Sequence, residues 1–396
     1  MGLKRDFSFY ILYPTVLNHC FILAVIGLLA FVGGYIGSFN GDNNLVDYKK
    51  PDYSNMIIPL VLIHLVVFAA FVYTIDISSF LTGNDYGSEL KTYTHLEKLL
   101  TAINALVVVL VVCRYDGNGS FRSFISSFPV LSLIIIVIYM ILRLLSGDRG
   151  PFVFLAILLF YGYIYISRKK FKLITTIVVL VLGFFIMSLV GIARSLDVTN
   201  DFLSRMSSSA EVFSTEGRFS SLDSRTVMPL TEELGLSFLV NQTDVHAIEI
   251  EGEPFHPGSY FLISVANGVP FMPGLIGKVF HISYEDFSST GFANSHFFKD
   301  REATWSIGTT IIGDFYLQFS SLGVLIGLFI VGCLMKYLDM FLFVRRQRVD
   351  NMYLVFIVLL FASTSIYMPR SLLLGELPRF VIGAIIIFLL SIFYNR

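Results

Sequence analysis

What most limits this chain is a succession of nine apolar runs. They are Phe9 to Tyr35, Met56 to Asp76, Leu96 to Cys113, Phe128 to Leu145, Gly150 to Ser167, Leu173 to Ala193, Leu322 to Met340, Met352 to Tyr367 and Leu377 to Tyr394. About 20 residues at a rise of about 1.5 Å cross a hydrocarbon core of about 30 Å, so each run is long enough, or nearly so, to span a bilayer. Backbone N–H and C=O groups find no water there, so a spanning segment must be helical or part of a closed barrel. The expected fold is an all-α polytopic integral membrane protein with about nine or ten transmembrane helices and one large periplasmic loop. Composition agrees: 55% of residues are hydrophobic and only 14% charged, too apolar for a soluble chain of this length. The first run carries Asn18 and His19 and lacks a small-residue cleavage site, so it is expected to remain in the mature protein.

Charge is distributed unevenly. Between Arg194 and Glu302 there are 7 Lys+Arg against 15 Asp+Glu, a net −8; the rest of the chain has 21 against 14, a net +7, and the two sum to the overall −1. Basic loops stay on the cytoplasmic side, which puts Arg168 to Lys172 and Arg345 to Arg348 inside and the long acidic loop outside. Counting back from Arg168 sets Ser146 to Arg149 outside and both Arg114 to Arg122 and Lys49-Lys50 inside. The count then puts the amino terminus outside, against Lys4 and Arg5, and a further half-spanning segment near Thr74 to Leu100 or within the first run would reverse it. Three regions result: N-terminal transmembrane helices over 1–193, a large periplasmic loop with short helices over 194–305, and C-terminal transmembrane helices over 306–396. Within the loop, a short helix is expected around Val227 to Leu239, then a turn from His246 to Pro257. The apolar stretch Tyr260 to Met272 is expected to lie along the membrane surface.

The residues also restrict the chemistry. No Walker loop, dinucleotide-binding glycine pattern, H-E-x-x-H or G-x-S-x-G is present, so metal and nucleotide chemistry are disfavoured and neither a cofactor nor a metal is expected. A net charge near zero argues against a nucleic-acid partner. Cys20, Cys113 and Cys333 have no paired spacing and read as buried thiols. His19 and His64, inside apolar runs, read as hydrogen-bonded packing residues, whereas His95, His246, His256, His281 and His296 fall in loops, where an imidazole can serve as a base. Arg149, Arg194, Arg218, Arg225, Arg301 and Arg370 cluster at or beyond the outer boundary, with Arg379 just inside the last helix. A charge at that depth costs roughly 2.5 to 3.5 kcal/mol, and arginine grips phosphate with a fork of donors, so the group suits a lipid pyrophosphate.

The loop carboxylates Glu211, Glu216, Asp223, Glu232, Glu233, Asp244, Glu249, Glu251 and Glu253 read mostly as its solvated face. Asp314 differs, because Gly308 to Tyr316 leads straight into a helix and sets an acid at membrane depth, either as an arginine-paired interfacial residue or as a catalytic group. The glycosylation triplets at Asn118 and Asn241 are discounted as chance matches.

Four segments together resemble the Wzy family of O-antigen and capsular polysaccharide repeat-unit polymerases. They are Ser146-Gly147-Asp148-Arg149-Gly150, Thr231 to Gly235, Gly258 to Leu262 with Asn267 to Pro270, and Gly308 to Phe319 followed by Gly323 and Gly327. Where this chain has Asp314, the family usually has Glu. The resemblance implies a glycosyltransferase-type polymerase of the bacterial inner membrane that moves the growing glycan from undecaprenyl pyrophosphate onto the next lipid-linked repeat unit. It implies membrane lipid and a chain-length regulator as partners. On this reading Arg149, Arg194, Arg218 and Arg370 hold the pyrophosphate, and Glu232, Glu233, His296 or Asp314 acts on the acceptor hydroxyl. An O-antigen ligase passing glycan to lipid A core shares these features, and a lipid-linked oligosaccharide flippase is a third reading, disfavoured by the lack of an internal repeat.

Overall fold

A computed structural model of the chain describes residues 13–37, 52–75, 92–116, 119–146, 149–167, 232–268, 289–298, 308–344, 351–365 and 377–394, with single residues at 183, 208, 272, 275 and 278. In chain order the helices are α1 (Pro14–Gly37), α2 (Ile57–Thr74), α3 (Thr92–Arg114), α4 (Phe121–Ser126), α5 (Val130–Leu145) and α6 (Arg149–Ser167). They continue with α7 (Glu232–Glu249), α8 (Ser259–Gly268), α9 (Ser289–Phe298), α10 (Ile311–Asp339), α11 (Met352–Thr364) and α12 (Leu377–Tyr394). No strand occurs among the described residues. Eight of the nine apolar runs are helical where described, and the other, Leu173 to Ala193, lies outside the described residues apart from Gly183. Among the described residues five stretches are long and apolar enough to cross a membrane: Pro14–Gly37, Ser54–Thr74, Leu96–Arg114, Gly150–Ser167 and Ile311–Leu342. Three shorter apolar helices join them, and the protein is an all-α polytopic membrane protein.

The chain forms two compact units. One comprises Met1–Asn43, Leu230–Met340 and Thr364–Val381. Its spine is α1 against α10. The buried residues of α1, Val16, Cys20, Leu23, Gly27, Ala30 and Gly34, recur every three or four positions and form one stripe. Lipid tails are as apolar as leucine, so membrane helices associate by close backbone packing rather than by hydrophobic burial. Glycine permits it here: a Cβ on Gly34 would strike the Phe329 carbonyl, and one on Gly332 the Phe31 carbonyl. At the far end of this seam Tyr35 donates to Asp339 at 2.9 Å, with the Lys336 ammonium 5.1 Å from the Tyr35 ring centre.

α10 is broken. Phe319 (φ −137°, ψ 17°) and Ser320 (φ 58°, ψ −160°) leave helical geometry, and Ser320 occupies a region that side-chain-bearing residues rarely adopt. Twelve residues along a continuous helix cover about 18 Å, yet the Phe315 ring lies against Gly327 at 2.5–2.6 Å from where a Cβ would sit. Residues 311–318 therefore fold back on the helix that follows. The turn frees carbonyls at the end of the first segment, and that of Leu317 accepts the backbone N–H of His256 at 2.9 Å. Gln318 accepts the N–H of Phe261 at 2.8 Å, capping the start of α8. Ala247, Tyr260, Phe292 and Leu317 form the small apolar core that binds α7, α8, α9 and this segment.

The other unit comprises Asn44–Pro229, Phe341–Ser363 and Ile382–Arg396. From Leu100 to Cys113 every residue of α3 is buried, as expected of a helix apolar on all sides. Its polar positions are matched by neighbours. Asn104 bonds His64 of α2 at 2.9 Å, and Glu97 receives Tyr139 at 3.1 Å and pairs with Arg143, both of α5. The outer faces of α2 and α5 expose Ile58, Val66, Val130 and Ile141 to the surrounding lipid.

Candidate active site

In the first unit, polar residues gather where α7 crosses the folded-back segment of α10. α7 is buried on all sides from Asn241 to Ala247, although Asn241, Gln242, Thr243, Asp244 and His246 are polar. Burying that many polar groups is costly unless they are bonded or functional. Asn241 and Asp244 stand one turn apart and face the start of α10. Thr310 is the N-cap of α10: its hydroxyl accepts the Gly313 N–H at 2.9 Å and donates to the Asn241 side-chain oxygen. Gly313 is the point of closest approach. A Cβ there would collide with the Asp244 carboxyl and sit 3.1 Å from the Thr310 hydroxyl and 3.2 Å from Asn241 Oδ1.

The next residue is Asp314, 7% exposed, while Asp244 is fully buried. Both oxygens of Asp244 and Oδ1 of Asp314 find no hydrogen-bond partner among the described residues. Ser289, which opens α9, and Gln318 flank the Asp314 carboxyl. Burial drives the Asp244 carboxyl well above the usual carboxylate range, and the charge of Asp314 adds to the rise. Two acids in one dry site do not ionise together, so the pair retains a proton that a single exposed carboxylate would have lost. Tyr260 lies within electrostatic reach of both acids and of Glu253, and burial raises its phenol above the ordinary range.

Beside the acids lies a more open histidine and glutamate cluster. Glu251 faces His246 Nδ1 at 3.3 Å and His296 Nε2 at 3.9 Å, and Glu253 faces His296 Nε2 at 3.6 Å. The Nδ1 of His296 sits 2.9 Å from the Phe292 carbonyl, which orients the other nitrogen toward the glutamates. Burial lowers the pKa of His256, with Glu253 opposing the shift and His296 adding to it. His19 of α1 pairs with Glu249 at the end of α7 and approaches Ser321, just past the break, at 3.4 Å. His19 and His64 are thus the hydrogen-bonded packing residues expected of them. Among the described residues no group of three or more His, Cys, Asp or Glu is placed to hold a metal.

Of the sequence candidates, Asp314 and His296 both border this cluster. Glu232 and Glu233 open α7, Arg149 opens α6, and Arg194, Arg218 and Arg370 lie outside the described residues. Two expectations need correction. The loop helix spans Glu232–Glu249 rather than ending near Leu239, because the polar residues after Leu239 are buried helix and not turn. Asp244 belongs to no solvated face, since the helix and Gly313 enclose it. The stretch from Tyr260 buries Tyr260 and exposes Phe261 and Leu262 beside it. Sequence reasoning missed Asn241, Ser289, Thr310 and Gln318. The available signal was the polar run 241–244 set between apolar neighbours.

The family model described as O-antigen polysaccharide polymerase Wzy matches residues 4–217, a little over half of the chain. The matched stretch includes Arg149 and Arg194 and ends before α7. Comparison with curated proteins and with solved structures gives no match.

Proposed function

The chain belongs to the O-antigen polysaccharide polymerase Wzy family, and from that premise we propose that it extends glycan on undecaprenyl pyrophosphate at the periplasmic face of the inner membrane. The observation that carries the reading is the buried Asp244 and Asp314 pair on a folded-back helix, beside helices contributed by the long loop. Chain growth joins a hydroxyl of one lipid-linked repeat unit to the anomeric carbon of another glycan. The bond from that carbon to pyrophosphate oxygen breaks, the acceptor oxygen takes its place, and the hydroxyl proton must go to a base. Asp314 is that base, and Asp244 is the second buried acid beside it. A positioned general base of suitable pKa contributes about 10²- to 10⁴-fold.

The leaving pyrophosphate is held by Arg149, Arg194, Arg218 and Arg370, whose guanidinium forks stabilise the charge that develops there. Glu232, Glu233 and His296 bind and orient the acceptor sugar. The donor arrives activated, which fits a chain with no nucleotide-binding motif, and a chain-length regulator protein is the expected partner. The test is the lipopolysaccharide or capsule pattern of a deletion strain carrying the gene or its D314N variant. Polymer with the native gene, and core capped by one repeat unit with D314N, supports the reading. Bare core with stranded lipid-linked polymer in the deletion strain would indicate a ligase instead, and repeat units trapped on the cytoplasmic leaflet a flippase.

A further inference from the structure

The Asp244 and Asp314 pair depends on two helices meeting at one register, and one side-chain bond fixes that register beside the acids. Thr310 has two roles at once. It receives the Gly313 N–H at 2.9 Å, closing the first turn of α10, and it donates its proton to Asn241 on α7. Asn241 is 8% exposed and Thr310 2%, so water competes little for this bond. Asn241 lies three residues before Asp244, and Thr310 lies four before Asp314. The bond is thus one helical turn from each acid and draws the two together. Gly313 supplies the space, because any side chain would push Asp244 and Asn241 away. Ser289 of α9 and Gln318 bond the Asp314 carboxyl itself, and the one further side-chain bond described between α7 and this segment joins Glu249 to the Tyr316 hydroxyl at the other end of α7, so the Thr310 bond is the one beside the acids.

We infer that Asn241, acting through Thr310, is a positioning residue that holds Asp314 against Asp244. It touches no reacting atom. This rests on the reading of Asp314 as the base. The titratable groups facing the pair from the packed elements are Cys20 on α1, Tyr260 on α8, Tyr316 on α10 and Glu253 between α7 and α8. None of them bonds Asn241 or Thr310 among the described residues. A loss of the bond therefore moves the acids without removing a charge.

The experiment expresses full-length T310V, T310S, N241L, N241D and D314N in the deletion strain and measures surface polymer against core plus one repeat unit at external pH 5.5 to 8.5. Membrane content of each variant is measured in parallel. T310V has nearly the shape of threonine without the hydroxyl, and polymer per molecule is expected to fall about tenfold or more, since small misplacements of catalytic groups have effects of this size. T310S restores the hydroxyl and should recover to within about threefold of the native protein. N241D keeps the acceptor oxygen but adds a third carboxyl to the site. Like charges raise one another's pKa, so the acid limb of its pH profile should move upward by about one unit. An Asn241 held away from the acids predicts no such displacement. Native polymer yield from T310V, or equal loss in T310S and T310V at native membrane content, overturns the inference. If T310V and N241L fail to accumulate, an unshifted pH profile for N241D overturns it alone. D314N separates the two levels: full activity in D314N defeats the base assignment, whereas an inactive D314N with a normal T310V defeats only the positioning role.

Discussion

Both units draw acidic side chains largely out of water, but they treat them in opposite ways. In the second unit Glu97 receives the Tyr139 hydroxyl and pairs with Arg143, while Thr101 donates to the Glu97 carbonyl at 2.8 Å. In the first unit Asp244 is fully buried with no hydrogen-bond partner among the described residues, and Asp314 beside it has one oxygen in the same condition. A paired buried charge holds helices together, whereas unpaired buried acids cost stability and persist where they serve a reaction. The contrast fits a structural role for the Glu97 cluster and, under the proposed function, chemistry for the Asp244 and Asp314 pair.

The largest expected effect breaks the chemical half of this contrast. D314N, nearly isosteric, should reduce polymer at least about 100-fold, the lower range for loss of a general base. The protein should still accumulate in the membrane, as seen by immunoblot of membrane fractions. A D314N strain that builds full-length polymer would remove Asp314 from the reaction.

The structural half predicts the reverse for Glu97. E97A leaves Arg143 buried without its carboxylate, and breaking one side of a buried pair costs about 3 kcal/mol. The midpoint of thermal unfolding in detergent should drop and membrane content should fall, while polymer made per remaining molecule stays within about twofold of native, as expected away from the reacting groups. Loss of activity at unchanged stability would place Glu97 in the reaction and dissolve the comparison.

How far the sequence alone reached can be judged from the same residues. Apolar length predicted eight helices that the structure describes, because a bilayer tolerates little else. Asp314 stood out because it is an acid at the start of an apolar helix. Asp244 did not, since in a linear reading Asn241-Gln242-Thr243-Asp244 looks like a polar loop, and only packing against Gly313 shows it to be core. The fold-back at Phe319 and Ser320 was equally hidden. No proline or glycine stands at the break itself, and Gly323 and Gly327, which leave room for Phe319 and Phe315, follow it by several residues.

A smaller effect concerns pH. Because burial raises the folded-state pKa of Asp244, the native protein holds a proton that the unfolded chain releases above about pH 4. Stability contributed by that proton is therefore complete below the unfolded pKa and is lost as pH rises through the folded one. The thermal midpoint should decline from pH 5 toward pH 8, and D244N, which cannot ionise, should flatten the decline. An E97Q control leaves Asp244 in place and should retain the slope. Equal slopes in D244N and the native protein would mean that Asp244 is not the buried acid responsible.

The smallest effect tests the edge of the site. His296 approaches Glu253 and Glu251 at 3.6 and 3.9 Å, beyond hydrogen-bond length, while its other nitrogen is held near the Phe292 carbonyl. Such contacts, partly open to solvent, suit a side chain that turns toward a sugar hydroxyl when acceptor is present. H296Q keeps a donor near the same place and should lower polymer yield only about threefold, the scale of one weakened neutral hydrogen bond. The loss should show as shorter chains at low supply of repeat units and should shrink as supply rises, because an acceptor-binding defect is relieved by concentration and a proton-transfer defect is not. A loss of 100-fold that supply cannot relieve would transfer the base from the buried acids to the imidazole. Unpaired burial would then no longer mark the reacting groups, and the solvent-accessible cluster would take their place.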